Sequence, residues 1–237
     1  MKKTTFIRTG RILFATLAMS LAAGANADTM TLNSVAQLGD GSYGSFGSFA
    51  ANSFGNIRAG GSSTYGQVNY VAAFALPTLS APIDTATLTL RYVSRSGAPA
   101  FNADVYGLSA GSAGALSLTI ASFYTGPNDS SATMLADNFV TPTSLTASDY
   151  TVSGTALVGF LNSQYTGLTP NNTYAYFRIS PDSIITSSSI GYNFSSETGV
   201  APPTLEFTVV PEPSTCALLM AGFALASLCR AGKARAI

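Results

Sequence analysis

From Thr85 to Tyr92 the chain alternates without a break, with Ala86, Leu88, Leu90 and Tyr92 on one side and Thr85, Thr87, Thr89 and Arg91 on the other. A period of two with β-branched polar residues outward predicts a strand in a sheet that has one face in water. A second run, Val68, Tyr70, Ala72, Phe74 and Leu76, alternates with Asn69, Val71, Ala73 and Ala75 until Pro77, which has no N–H to give to a ladder. Shorter runs predict strands at 28–32, 103–107, 116–124, 173–180 and 205–209. In the last of these, Leu205, Phe207 and Val209 point one way and Glu206 and Thr208 the other.

Residues 39–66 turn to glycine, serine and aromatics, with a three-residue repeat in Gly41-Ser42-Tyr43, Gly44-Ser45-Phe46 and Gly47-Ser48-Phe49. A spacing of three fits neither the strand period nor the helical one, and Gly-Ser stretches lack a packing face. This region therefore reads as a long loop with weak strand character. One segment reads as helix: Leu157, Val158, Phe160 and Leu161 keep helical spacing behind Ser153 or Thr155 as N-cap. Several short strands separated by Gly, Pro, Asn and Ser turns predict an all-β fold, an antiparallel β-sandwich of jelly-roll type.

The two ends do not belong to that pattern. Lys2, Lys3, Arg8 and Arg11 precede an apolar stretch from Ile12 to Ala23, and Ala25-Asn26-Ala27 supplies small residues at the cleavage positions. This is the layout of a signal helix that is removed to leave Asp28 as the mature start. At the other end come Pro211, Glu212 and Pro213, then an apolar stretch from Cys216 to Leu228, then Arg230, Lys233 and Arg235. The prolines hold the triplet exposed and extended. The apolar stretch is a hydrophobic helix shorter than the roughly 20 residues of a comfortable span, with its basic end on the cytoplasmic side. Triplet, hydrophobic helix and basic end in this order resemble the PEP-CTERM sorting signal. The resemblance implies processing by an exosortase-type enzyme in a Gram-negative bacterium that makes exopolysaccharide. The expected organisation is a signal peptide at 1–27, a β-sandwich domain at 28–209 and a sorting tail at 210–237.

Setting the ends aside changes the charge. The whole chain has a formal net charge of +0, but between Asp28 and Val210 only Arg58, Arg91, Arg95 and Arg178 are basic. Four arginines against ten carboxylates leave the body near −6. With no lysine and no basic stripe it will not hold a phosphate backbone, so nucleic acid is excluded as a partner. Both cysteines, Cys216 and Cys229, lie in the tail, so no disulfide staples the body.

The body also resembles the DNRLRE-type β-sandwich domains of secreted bacterial proteins, some of which bind carbohydrate. Asp28-Thr29, Asn56-Ile57-Arg58-Ala59-Gly60, the run from Tyr70 to Pro77, Ile83 to Leu90, Tyr174 to Ile179 and Pro203 to Phe207 carry the likeness. Ala73 and Ala75 stand where that family has polar or charged residues, and its Arg- and Asp-rich loop is missing. The resemblance implies the fold and carries no ligand site over.

Absences bound the chemistry. The chain has no histidine, which removes Ser-His-Asp and Cys-His arrangements and the usual transition-metal ligands. The body has no lysine or cysteine nucleophile, and Gly55 to Gly60 lacks the lysine and spacing of a phosphate loop. No cofactor is expected. Paired carboxylates would suffice for a glycosidase, but Asp40, Asp84, Asp104, Asp129, Asp137, Asp149 and Asp182 are scattered singly beside turn-forming residues. Asp129 and Asp137 could contribute to a calcium loop, although no EF-hand spacing supports one and no metal site is expected. Tyr43, Phe46 and Phe49 are the candidate carbohydrate-binding residues, since rings can stack on sugar faces; capping of the core is the competing role. Serine and threonine, about a quarter of the body, either fill outward strand positions or accept glycans.

The expectation is a non-enzymatic exported protein, transiently anchored in the inner membrane and then delivered to the cell surface or extracellular matrix. Its alternatives are a carbohydrate-binding module and, last, a carboxylate-based glycosidase. The partners implied are signal peptidase, the exosortase-type enzyme and, as a candidate ligand, extracellular polysaccharide. The membrane is a partner only through the tail before processing.

Overall fold

The computed structural model describes residues 27–41, 56–62, 66–108, 132–144, 146–183, 185, 189–196, 199 and 201–210. In chain order the elements are β1 (Asp28–Asn33), β2 (Ala36–Gly41), β3 (Asn56–Ser62), β4 (Gly66–Ala75), β5 (Ile83–Ser96), β6 (Ala103–Leu108) and β7 (Ala132–Val140). Then come β8 (Ser148–Ser153), α1 (Thr155–Ser163), β9 (Tyr165–Thr166), β10 (Thr169–Pro170), β11 (Tyr174–Pro181), β12 (Gly191–Ser195) and β13 (Thr204–Val209). Eleven strands form one curled, mostly antiparallel sheet, and β9 and β10 make a separate hairpin. The fold is all-β, as the alternation predicts.

Two long strands organise the sheet. On β5, Leu88 is paired with Leu205 of β13 on one flank and with Val152 of β8 on the other. Further along the β13 flank, Arg95 is paired with Tyr192 of β12. On β4, Tyr70 lies between Gly39 of β2 and Ile179 of β11, and Val68 is paired with Gly60 of β3. The order continues from β11 to β6 and β7, while β1 borders β13. Strands β12 and β3 pair with each other and join the β1-β13-β5-β8 part to the β2-β4-β11-β6-β7 part. At that joint Gly191 faces Gly60, and a Cβ on Gly60 would stand 2.3 Å from the carbonyl oxygen of Ile190. Only glycine permits this approach of two backbones.

Both parts feed one core. Leu88, Leu90, Leu205 and Phe207 from the first part and Phe74, Phe177, Ile179 and Val105 from the second are buried in a single cluster. Helix α1 closes it with Leu157, Phe160 and Leu161. The side-chain amide of Asn162 clamps the helix to β5, accepting from Ile83 N at 3.0 Å and donating to Ile83 O at 2.9 Å. Gly107 makes room for the helix: a Cβ there would lie 2.6 Å from the Phe160 ring.

Several expectations need correction. The stretch read as a loop contains β2 at its start and β3 towards its end, and β4 begins at Gly66. The glycines at Gly60, Gly61 and Gly66 fall at the paired ends of β3 and β4, while Ile57, Ala59, Tyr70 and Phe74 anchor the same strands in the core. The helix N-cap is Gly154, with no side-chain cap bond, in place of Ser153 or Thr155. Asp40, Asp84, Asp104, Asp137 and Asp149 fall within strands, where turn chemistry was expected. Strands β7, β8 and β12 were not anticipated; β7 departs from alternation at a bulge, and β8 and β12 are short. The strand expected at 116–124, the signal helix and the C-terminal hydrophobic helix lie outside the described residues.

Two stability outcomes follow from this packing. Leu88→Asp or Phe207→Asp places an unpaired charge in the core and should cost roughly 3–5 kcal/mol in urea titration. Thr89→Asp, between the outward Thr204 and Thr151, should change stability by less than about 1 kcal/mol. Equal effects at the two kinds of site would refute the strand register. Gly107→Ala should cost about 1–3 kcal/mol through overpacking. Combined with Phe160→Leu it should lose less than the two single changes together, because the ring it strikes is gone.

Candidate functional site

The outward face of β13, β5 and β8 is a lattice of hydroxyls set by strand register. Thr208 stands beside Thr85, with their hydroxyl oxygens 2.6 Å apart. The next row is Glu206, Thr87 and Ser153, and the one after it Thr204, Thr89 and Thr151. Arg91 and Asp149 end the array with an exposed ion pair at 3.3 Å, which contributes little to stability. Successive rows are spaced by the two-residue strand repeat and neighbours in a row by the interstrand distance, about 7 Å and about 5 Å.

At its end this face runs into a groove of about 470 Å³ between β5, the β8–α1 turn and the first helical turn. Asp84, Thr85, Ala86, Thr87, Ser153 and Val158 line it together with the backbone of Gly154 and Gly159. Thr155 opens the helix at the same wall. No arginine contributes to the lining. Most of the surface this groove exposes is aliphatic carbon, with the hydroxyls and one carboxylate, Asp84, contributing a minor polar share, so it can hold an apolar face and make a few hydrogen bonds. It offers no aromatic platform and no activated nucleophile.

The outward face of β4, β11 and β6 is different in kind. Val71, Ala73, Tyr106, Leu108 and Tyr176 form a second apolar cluster, none of them more than 4% exposed. Arg178 is fully buried there with its guanidinium 5.0 Å from the centre of the Tyr106 ring. Burial, with a smaller contribution from Tyr174, pushes the Tyr176 hydroxyl up to about 12. Tyrosines, an arginine and amides on one sheet face would suit a ligand, but at this burial the cluster acts as a second core. It is closed to ligands.

Of the residues singled out from sequence, Ala27 and Asp28 are exposed at the start of β1. Ala25, the Tyr43, Phe46 and Phe49 rings, the Pro211-Glu212-Pro213 triplet and the basic residues Arg230, Lys233 and Arg235 lie outside the described residues. Asp129 does as well, while Asp137 is exposed on β7. Among the described residues no group of three acidic or thiol side chains is placed to hold a metal. Nor is any helix among them long and apolar enough to cross a membrane. The groove itself was not anticipated. Outward Thr85 and Thr87 were legible as one half of the alternation, but Ser153 and Val158 join them only through the turn that Gly154 makes at φ 103°. No family model matches the chain, and none of the curated proteins matches it.

Proposed function

We propose that this is a non-enzymatic exported protein whose β-sandwich body, of jelly-roll type, serves at the cell surface or in an exopolysaccharide matrix after both ends are removed. The observation that carries the reading is the order of the C-terminal segment: Pro-Glu-Pro, an apolar stretch and Arg230, Lys233 and Arg235. The N-terminal layout of charge, apolar stretch and small residues agrees with it. A curled sheet whose two parts feed one core supports the sandwich reading. A body held by its core without a disulfide, and acidic overall, suits a soluble component of a hydrated matrix.

A second reading, a carbohydrate-binding module, is favoured by the groove that ends the hydroxyl face. Its chemistry fits a neutral polyhydroxyl chain better than an anionic one, which the acidic body would repel.

Mass spectrometry of protein recovered from the native host should show a mature start at Asp28 and loss of everything beyond the Pro211–Pro213 region. Intact Cys216 to Ile237 on extracellular protein would overturn the processing scheme. For the second reading, affinity electrophoresis in neutral polysaccharide should show retarded migration. Gly159→Phe projects a ring from a groove-lining position where open space surrounds a Cβ; it should abolish the retardation if the groove binds. Replacing Tyr43, Phe46 and Phe49 by Ala should abolish it instead if those rings bind. Free migration of the unaltered protein would eliminate the module reading.

A further inference from the structure

Charge on the hydroxyl face is one-sided. Strands β13 and β8 and residues 83–92 of β5 hold a single base, Arg91, and Asp149 engages it in the ion pair at 3.3 Å. Helix α1 carries no charged residue. Two exposed carboxylates, Asp84 and Glu206, are left, and among the described residues neither pairs with an arginine.

Both carboxylates border the groove, each for a reason of register. Thr85 is paired with Thr208 and Ile83 with Val209, so Asp84 is the extra residue where β5 and β13 lose step. A bulge re-aims the side chain it carries, and here that side chain is part of the groove wall. Glu206 is paired with Thr87, which lines the groove. It therefore stands one interstrand distance, about 5 Å, from that lining residue. Hydroxyls, the aliphatic carbons of Ala86 and Val158 and two carboxylates without a base thus meet within neighbouring rows of the sheet.

The chemistry of that combination selects among polymers. An anionic chain is repelled by the carboxylates. A neutral chain displaces water from them without supplying the opposite charge, and taking a carboxylate out of water unpaired is costly. A basic peptide supplies the charge but leaves the rows of threonine hydroxyls with few partners. We propose that this face takes an amino-sugar glycan with free ammonium groups, a ligand class that rests on the carbohydrate-binding reading and sharpens it. Hydroxyls of successive sugars meet the threonine rows, the C–H face of a ring covers Ala86 and Val158, and ammonium groups donate to Asp84 and Glu206. Such bonds between ions are charge-assisted and stronger than those between neutral groups. The net charge of the body, near −6, attracts the same polymer at long range.

Titration of the protein with glucosamine oligosaccharides of chitosan type, and with the same oligosaccharides after complete N-acetylation, tests the assignment. At roughly 0.15 M salt, charges more than about 8 Å away are largely screened, so the adjoining carboxylates decide the outcome. The ammonium form should bind roughly 4- to 25-fold more tightly, about two- to fivefold for each carboxylate engaged. Asp84→Asn and Glu206→Gln should each lower that preference by about two- to fivefold and leave binding of the acetylated form unchanged. Asp137→Asn combined with Asp182→Asn removes two exposed carboxylates from other strands and should leave the preference as it is in the parent. Equal loss in that control would reduce the effect to bulk charge and overturn the proposal. Equal affinity for both oligosaccharides also overturns it, while leaving the carbohydrate-binding reading intact; binding of neither removes both. Polylysine bound as tightly, with the same dependence on Asp84 and Glu206, would mark a surface for basic peptides and overturn the glycan assignment.

Discussion

Strand β5 is the constraint on which the rest of the structure depends. Its fourteen residues bind three other strands at once, β13 and β12 along one flank and β8 along the other. The same residues that make those ladders put Leu88, Leu90 and Tyr92 into the core at 0–1% exposure. Tyr92 then gathers the rings of Tyr150, Tyr192 and Phe194 at centroid distances of 5.9, 6.3 and 6.0 Å. A one-residue slip of β5 would turn Thr87 and Thr89 inward and break every one of these contacts together. With no disulfide in the body to hold a misregistered sheet, the alternation on this strand must specify its own register.

The joint between the two parts of the sheet adds a second means to burial in the same core. Strands β3 and β12 are short, and glycines replace side chains where they meet. A Cβ on Gly191 would lie 2.4 Å from the carbonyl oxygen of Ala59, as one on Gly60 would from Ile190. Around the glycines, polar side chains add cross-links: Arg58 donates to Ser96 Oγ at 3.0 Å, and Asn193 donates to Ser94 and Ser96 at 3.0 and 3.1 Å. Backbone proximity thus adds at the joint to the apolar burial of Ile57, Ala59, Tyr192 and Phe194.

What could be read from sequence follows that division. Strands with a regular apolar run announced themselves: β5 and β13, which alternate between core and water, and β4, β6 and β11, which are buried on both faces. The helix did as well, because Leu157, Phe160 and Leu161 all face the core. Strands with glycine at paired positions or with a bulge did not. In β3 the glycines hid the strand from periodicity, and only the family likeness at Asn56 to Gly60 implied a strand there; in β7 the Asp137-Asn138 bulge broke the period that would have revealed it. The face of β4 opposite the core carries Val71 and Ala73, which close onto Tyr106 and Tyr176 of neighbouring strands. That second cluster depends on which strands are neighbours, and one strand's periodicity holds no such information. The groove is the same case, since Thr85 and Val158 meet only once α1 is docked.

The two outward faces then have opposite consequences for the proposed role. The β4-β11-β6 face spends its tyrosines and its arginine on a closed cluster, so those side chains are not available to surroundings. The β13-β5-β8 face keeps its hydroxyls open, with one carboxylate, Glu206, in the middle and the Arg91–Asp149 pair at one end. A hydroxyl lattice binds neutral polyols weakly at each point, since every bond made replaces one to water and gains only about 1 kcal/mol. Affinity would come from many such points engaged along an extended chain, and the regular strand spacing is what makes repeated engagement geometrically possible. A matrix component needs that kind of contact, numerous and individually reversible, more than it needs a deep specific pocket.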